Sequence, residues 1–203
     1  MLLLWSAPGR GQAGILSTLV IDPGHGGYDG GISAPGVKEK DLVLAVARRM
    51  EEILRKERKE VFLTRRVDQH LSVSERLARA NERVPDLFLS LHVSDSDAFA
   101  VYVTWYTDKD AELTLRRYYS IGSRQRRYLF ESKALSTVLA ETLEKEFGRR
   151  VFQREMPMPV LNTIGAPAVM VEIPSREIEY DEKTRERMAY ALAIAIMLYE
   201  QRQ

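Results

Sequence analysis

The chain has 203 residues, 45% of them hydrophobic, which is enough to bury a full core and is typical of one domain. Its 30 basic and 29 acidic residues leave a net charge of +1, which gives no overall electrostatic case for binding nucleic acid or an anionic membrane surface. Because the chain has no cysteine, disulfides, thiolate metal sites and a cysteine nucleophile are excluded, and any metal must be held by histidine and carboxylate.

The first residues of the chain are expected to lie outside the folded domain. Residues 1–5 are apolar, but they lack a basic flank and are too short for a complete signal peptide, and residues 6–14 have a linker-like composition. The apolar run 188–199 is too short for a membrane span and fits a buried C-terminal helix. We therefore expect a linker or trimmed segment over 1–17, one domain over 18–203 and no transmembrane segment.

Short apolar runs alternate with helical patterns along the rest of the chain. The runs predict buried strands at 19–21, 61–63, 87–91, 100–105 and 168–173, and the helical patterns cover 38–58, 74–83, 131–147 and 182–201. This alternation is typical of an α/β domain with a mainly parallel, twisted sheet of about five or six strands and helices on both faces. In such sheets, ligands bind beyond the carboxyl ends of the strands.

Four polar residues are candidates for a site at that edge. His25 follows the first strand within a glycine-rich run, His92 ends the strand at 87–91, and Glu172 lies near the end of the last strand. Glu39 opens the first long helix, in line with its apolar positions. A carboxylate on that face needs a cation or hydrogen bonds to offset its burial.

Each candidate also has an ordinary structural explanation. The run around His25 could be a simple turn, or a loop that cradles phosphate, although the long connection from Gly31 to Lys38 fits a phosphate-binding helix N-terminus poorly. Glu39 could favour the positive end of the helix dipole, and His92 could be a hydrogen-bonded histidine at a strand end. Glu172 is harder to explain without a function, because an unpaired carboxylate beside a buried strand is costly.

Taken together, the four residues match a known type of chemistry. Two histidines and one glutamate form the ligand set of a catalytic zinc site, which leaves a position open for water or substrate. Zinc lowers the pKa of bound water toward about 7 and polarises a carbonyl. A second carboxylate beside the metal, here Glu172, could move protons as general acid and base, which typically contributes about 10² to 10⁴ in rate.

The order and spacing of several motifs resemble the zinc-dependent N-acetylmuramoyl-L-alanine amidases of the type 3 amidase family. The resemblance covers nearly the whole chain from Leu19 onward, and its motifs are 22–27 with Asp29, 39–41, 63–65 with Asp68, 75–76, 90–92, 167–168 and 171–172.

The resemblance implies a function for each candidate. His25, Glu39 and His92 would hold one Zn²⁺ per chain, and Glu172 would be the catalytic glutamate. Residues 18–203 would then be a catalytic domain that hydrolyses the amide between N-acetylmuramic acid and L-alanine in peptidoglycan. The family acts in the periplasm or the extracellular cell-wall space, where it remodels or splits the wall, as in cell division. Peptidoglycan, and in some members a protein activator, would be the partners.

Three features depart from the family's pattern. Val93 and Ser94 follow His92 where relatives commonly have alanine and asparagine, and Pro174 stands where a glycine is frequent. The first change affects the surroundings of a metal ligand, and the second stiffens the loop that follows Glu172. The connection from His25 to Glu39 is also slightly shorter than usual. None of these departures removes a predicted ligand.

Two other regions carry basic or polar residues outside this pattern. The segment 106–133 places five arginines (116, 117, 124, 126 and 127) among Tyr118, Tyr119 and Tyr128. It is either a solvated surface loop or a flap near the active-site edge. As a flap it would contact substrate, or it would cover the site until an activator moves it, as a helical insertion does in related cell-division amidases. His70, in a polar connection, is expected to face solvent.

Two alternative functions stay open on sequence grounds. One is a peptidoglycan-binding module that has lost catalysis or is gated by an activator. The other is a zinc peptidase that cleaves within the stem peptides.

Overall fold

A computed structural model describes residues 16–34, 37–104 and 124–203. Their elements in chain order are β1 (Thr18–Pro23), β2 (Ser33–Ala34), β3 (Val37–Lys38), α1 (Glu39–Lys56), β4 (Glu60–Leu63), α2 (Val73–Asn81), β5 (Leu87–Ser94), β6 (Phe99–Thr104), a 3₁₀ turn (Arg124–Arg127), α3 (Leu129–Phe147), β7 (Val151–Met156), β8 (Ala168–Pro174) and α4 (Glu182–Gln201). Each helix and strand that the sequence predicts is present.

The main sheet has six strands in the order β4-β1-β5-β8-β6-β7. All neighbouring strands run parallel except β6 and β8, which are antiparallel. The sixth strand, β7, was not predicted, because four of its six side chains are exposed and no apolar run marks it. The predicted α/β class and strand number are confirmed.

Helices cover both faces of the sheet, as the sequence predicts. On one face, α1 and α3 both contact α4, and their buried residues form one large core with alternate strand residues such as Ile21, Leu89 and Val171. On the other face, Ala80 of α2 packs in a smaller cluster with Val20, Phe88 and Leu161. Two residues of the site described below, His92 on β5 and Glu172 on β8, lie on this second face near the carboxyl ends of their strands.

Local sequence explains several helix boundaries. Ser72 and Glu75 form a reciprocal capping box at the start of α2, and Asp181 caps α4 through the Thr184 amide. Gly148 adopts a left-handed conformation just after α3, which ends that helix. No helix in the described part of the chain is long and apolar enough to cross a membrane.

Candidate active site

The loop after β1 holds His25 in an unusual backbone conformation. His25 has a φ of 54°, which is uncommon for a residue with a side chain and needs support from its surroundings. Two buried arginines provide that support: Arg65 donates to the carbonyls of Pro23 and Gly24, and Arg76 donates to those of Pro23 and His25. Hydrogen bonds from rigid, buried side chains therefore fix the position of the imidazole.

Glu39 is the first residue of α1, and its side chain is almost completely buried. Its Oε2 accepts a hydrogen bond from the Ile32 amide at 2.7 Å, and its Oε1 accepts one from the Val93 amide at 2.8 Å. Burial alone would raise the pKa of Glu39, but hydrogen bonds from His25, His92 and these amides outweigh it and hold the pKa well below its usual range. Glu39 is therefore an oriented carboxylate.

Three side chains converge at the carboxyl ends of β1 and β5. Oε1 of Glu39 lies 3.2 Å from Nε2 of His25 and 3.1 Å from Nδ1 of His92. The three groups offer ligand atoms that all lie within 4.8 Å of one another. Two ligands about 2.0–2.1 Å from a tetrahedral zinc ion would be about 3.3 Å apart, so this donor set and its spacing fit such an ion.

Asp29 orients one of these histidines. Its Oδ1 lies 2.8 Å from Nδ1 of His25, on the side of the ring away from Glu39. The hydrogen bond with Glu39 raises the pKa of His25; burial opposes this effect, and Asp29 adds to it. A carboxylate on the far nitrogen of a metal-binding histidine fixes its tautomer and ring orientation. The sequence motif includes Asp29, but its role becomes visible only in the structure.

Glu172 lies directly beside this cluster. It is the register partner of His92 on the parallel pair β5–β8, and its side chain is half-buried. Its Oε2 accepts a 2.8 Å hydrogen bond from the hydroxyl of Tyr102, on the neighbouring strand β6. Burial, together with this bond to Glu172, raises the pKa of Tyr102 to about 12, so the phenol is a donor at neutral pH. Sequence reasoning missed Tyr102, because only the insertion of β8 beside β6 brings the two together.

A buried network of polar side chains lies next to the site and is hydrogen-bonded to the loop that carries His25. Asp22 is fully buried and accepts hydrogen bonds from Thr64, from Arg76 at 2.8 Å and from Ser90 at 2.9 Å. Burial acts to raise the pKa of Asp22, but Arg76 and Thr64 outweigh it and lower the pKa. Arg76 thus joins Asp22 to the His25 carbonyl. Ser90, part of the 90–92 motif, belongs to this network.

The structure shows the contacts of the three residues that depart from the family's pattern. The Val93 contact with Glu39 uses the backbone amide, so it does not depend on the side chain at that position. Ser94 pairs with Ser96 rather than with His25 or His92. Pro174 ends β8, and its carbonyl accepts a 2.6 Å hydrogen bond from Tyr180.

His70 differs from its prediction. Its ring stacks on that of Tyr28 with 4.2 Å between centroids, and its Nδ1 atom is buried. It is therefore half-buried and not simply solvent-facing. Most of the segment 106–133, from 106 to 123, lies outside the described residues, so its interpretation as a flap stays a prediction.

Comparison with known families accounts for this arrangement. A model of the N-acetylmuramoyl-L-alanine amidase family (Amidase_3) matches residues 19–200. The chain belongs to this family. The resemblance that the motifs indicate is therefore confirmed.

Individual relatives agree with this assignment. The N-acetylmuramoyl-L-alanine amidase AmiC of Neisseria meningitidis is 41% identical over 93 residues, which cover 45% of this chain and 22% of AmiC. AmiA of Escherichia coli is 28% identical over 192 residues, covering 84% of this chain and 66% of AmiA. The chain thus spans only part of these curated relatives.

The fold is also shared with a solved amidase. The structure of AmiC2 of Nostoc punctiforme superposes with a TM-score of 0.72 at 25% identity, covering 91% of this chain and 97% of that one. The similarity therefore extends over almost the whole of both chains.

Proposed function

We propose that this chain hydrolyses the amide bond between N-acetylmuramic acid and L-alanine in peptidoglycan, with one zinc ion held by His25, Glu39 and His92. The observation that carries the proposal is the convergence of these three ligand groups beside Glu172 in a chain of the amidase family. Zinc bound there would supply an electrophile that lowers the pKa of water and polarises the amide carbonyl.

Other residues of this chain orient the metal ligands and transfer protons. Asp29 holds the His25 ring, while the Ile32 and Val93 amides hold Glu39, so that the donor atoms keep their spacing. Glu172 is the general base and then the general acid: it takes a proton from the attacking water and delivers it to the departing amine of L-alanine. Tyr102 fixes one oxygen of Glu172 and leaves the other for proton transfer.

The substrate implies where the protein acts. Peptidoglycan lies in the periplasm or the extracellular cell wall, so we place the activity in that compartment. The action of a protein activator stays a prediction.

Mass spectrometry of the products tests the proposed reaction. Zinc-loaded protein is incubated with purified peptidoglycan, with Glu172→Ala as the control. Free stem peptides that begin with L-alanine, absent from the control, would support the proposal. Cleavage between amino acids would instead indicate a zinc peptidase. A folded, zinc-bound protein that binds peptidoglycan without releasing product would indicate a binding module or a gated enzyme.

A further inference from the structure

One row of side chains extends the site toward the outer edge of the sheet. His92 pairs with Glu172, Glu172 with Ala100 on β6, and Ala100 with Phe152 on β7. Directly paired residues project to the same face of a sheet, so Phe152 shares a face with Glu172. Only the small, buried side chain of Ala100 separates them along the row.

Two arginines flank the ring at the outer end of this row. The guanidinium carbon of Arg150 lies 4.4 Å from the centroid of the Phe152 ring, and that of Arg154 lies 5.3 Å from it. Both arginines are exposed, while Phe152 is half-buried. Stacking on an aromatic ring limits the conformations of a guanidinium. Arg154 also lies near Tyr102, with 6.0 Å between its guanidinium carbon and the centroid of that ring. We call Arg150, Phe152 and Arg154 the β7 strip.

The β7 strip carries positive charge that described carboxylates do not neutralise. Nearby basic residues have acidic partners: Arg149 pairs with Glu177, and Lys133 with Glu155, whose side chain alternates to the other face of β7. Among the described residues, no carboxylate lies within ion-pair distance of Arg150 or Arg154. The strip is thus suited to an anionic ligand.

Resting on the proposed function, we infer that the β7 strip binds a carboxylate of the peptide whose amino end is cleaved at Glu172. A peptide attached through its amino end has no free α-amine, and its free end is a carboxylate. Two strand spacings of about 4.8 Å place Phe152 roughly 10 Å from Glu172. An extended peptide spans at most about 3.3–3.6 Å per residue, so a carboxylate about three residues beyond the cleaved bond reaches the strip.

Binding to a catalytically inactive protein tests this inference without requiring turnover. In the Glu172→Gln background, calorimetry measures the dissociation constants of a soluble muramoyl tripeptide with a free carboxyl terminus and of its carboxyl-terminal amide. We expect Arg150→Gln with Arg154→Gln to weaken binding of the acid by about 3- to 10-fold, as for exposed charge pairs, and to leave binding of the amide unchanged. Added salt should weaken binding of the acid only.

Arg83→Gln is the matched control. Arg83 stacks on Phe62 with 4.4 Å between its guanidinium carbon and the ring centroid. Phe62 lies on β4, at the opposite edge of the sheet. Arg83→Gln should change neither dissociation constant. Equal losses for acid and amide in the double variant, no loss for either, or no binding of the acid by the Glu172→Gln protein would overturn the inference.

Activity separates this inference from the proposed function. One outcome is that the protein with Glu172 intact releases no peptide, while the double arginine variant still loses binding of the acid but not of the amide. In that case the inference about the β7 strip stands and the amidase proposal fails. If peptide is released and the double variant leaves KM for the acid unchanged, the amidase proposal stands and the strip fails.

Discussion

The hydroxyl of Tyr102 donates a 2.8 Å hydrogen bond to Oε2 of Glu172. The two residues lie on neighbouring antiparallel strands, and Tyr102 is nearly buried. The bond fixes the carboxylate beside His92. In the proposed mechanism, Tyr102 is therefore a positioning residue that acts through Glu172.

Tyr102→Phe should lower kcat without releasing the metal. Loss of a hydrogen bond to a charged group should reduce kcat by about tenfold, with KM and zinc content unchanged. Steady-state kinetics and zinc analysis of the purified variant check this expectation. Tyr199→Phe is the control, because Tyr199 on α4 is buried in the core on the opposite face of the sheet. This variant should leave kcat unchanged. An unchanged kcat for Tyr102→Phe, or a loss of zinc from it, would contradict this positioning role.

Asp29→Ala should weaken zinc binding. Without the carboxylate on Nδ1, the His25 ring loses its fixed orientation, and the zinc dissociation constant should rise by about 10- to 100-fold. A competition titration against a chelating dye measures that constant. Asp181→Ala, which removes the cap of α4 far from the cluster, should leave zinc affinity unchanged. Equal zinc affinities for Asp29→Ala and the unmodified protein would contradict the orienting role.

Two adjacent glycines should respond very differently to alanine. Gly31 has a φ of 65°, and a Cβ there would lie 2.3 Å from Oε2 of Glu39 and 2.8 Å from Cδ2 of His25. Gly30 has open space around the same position. We expect Gly31→Ala to displace the ligands and abolish stoichiometric zinc binding, while Gly30→Ala retains it. Elemental analysis of both variants measures zinc per chain; retention of zinc by Gly31→Ala would show that the loop adjusts.

Asp22 should contribute stability that depends on pH. Since its pKa is lowered in the folded state, its contribution is fully present above the unfolded value of about 3.9 and is lost as pH falls through the folded pKa. Asp22→Asn leaves the Arg76 guanidinium buried without its ionic partner and should cost about 3–5 kcal/mol of unfolding free energy at neutral pH. The difference from the unmodified protein should shrink below about pH 4.

Urea unfolding across this pH range measures that difference. Asp95→Asn is the control, because Asp95 is exposed and its partner Arg176 is also exposed. It should change the unfolding free energy little at any pH. A penalty for Asp22→Asn that stays constant into acid would show that the ionised carboxylate of Asp22 is not what stabilises the fold.

Much of this arrangement follows from local sequence. Apolar strand runs that end at His25, His92 and Glu172 predict their convergence at one edge of a parallel sheet, and the position of Glu39 on the apolar face of α1 predicts that it points inward. These inferences need only the periodicity of strands and helices and the rule that ligands bind at strand carboxyl ends.

Other features depend on pairings between distant segments. Tyr102 meets Glu172 because β8 inserts between β5 and β6, and β7 joins the outer edge although its side chains are mostly exposed. Hydrophobic patterning specifies which face of a strand is buried, but it does not specify which strand becomes its neighbour. The orienting role of Asp29 and the β7 strip are therefore visible only in the folded chain.

The most direct test of the central claim is a zinc titration of metal-free protein while peptide release from peptidoglycan is followed. We predict that release of peptides beginning with L-alanine rises with added zinc and reaches its maximum at one equivalent per chain. Full release by metal-free protein in the presence of a chelator would contradict a zinc centre at His25, Glu39 and His92.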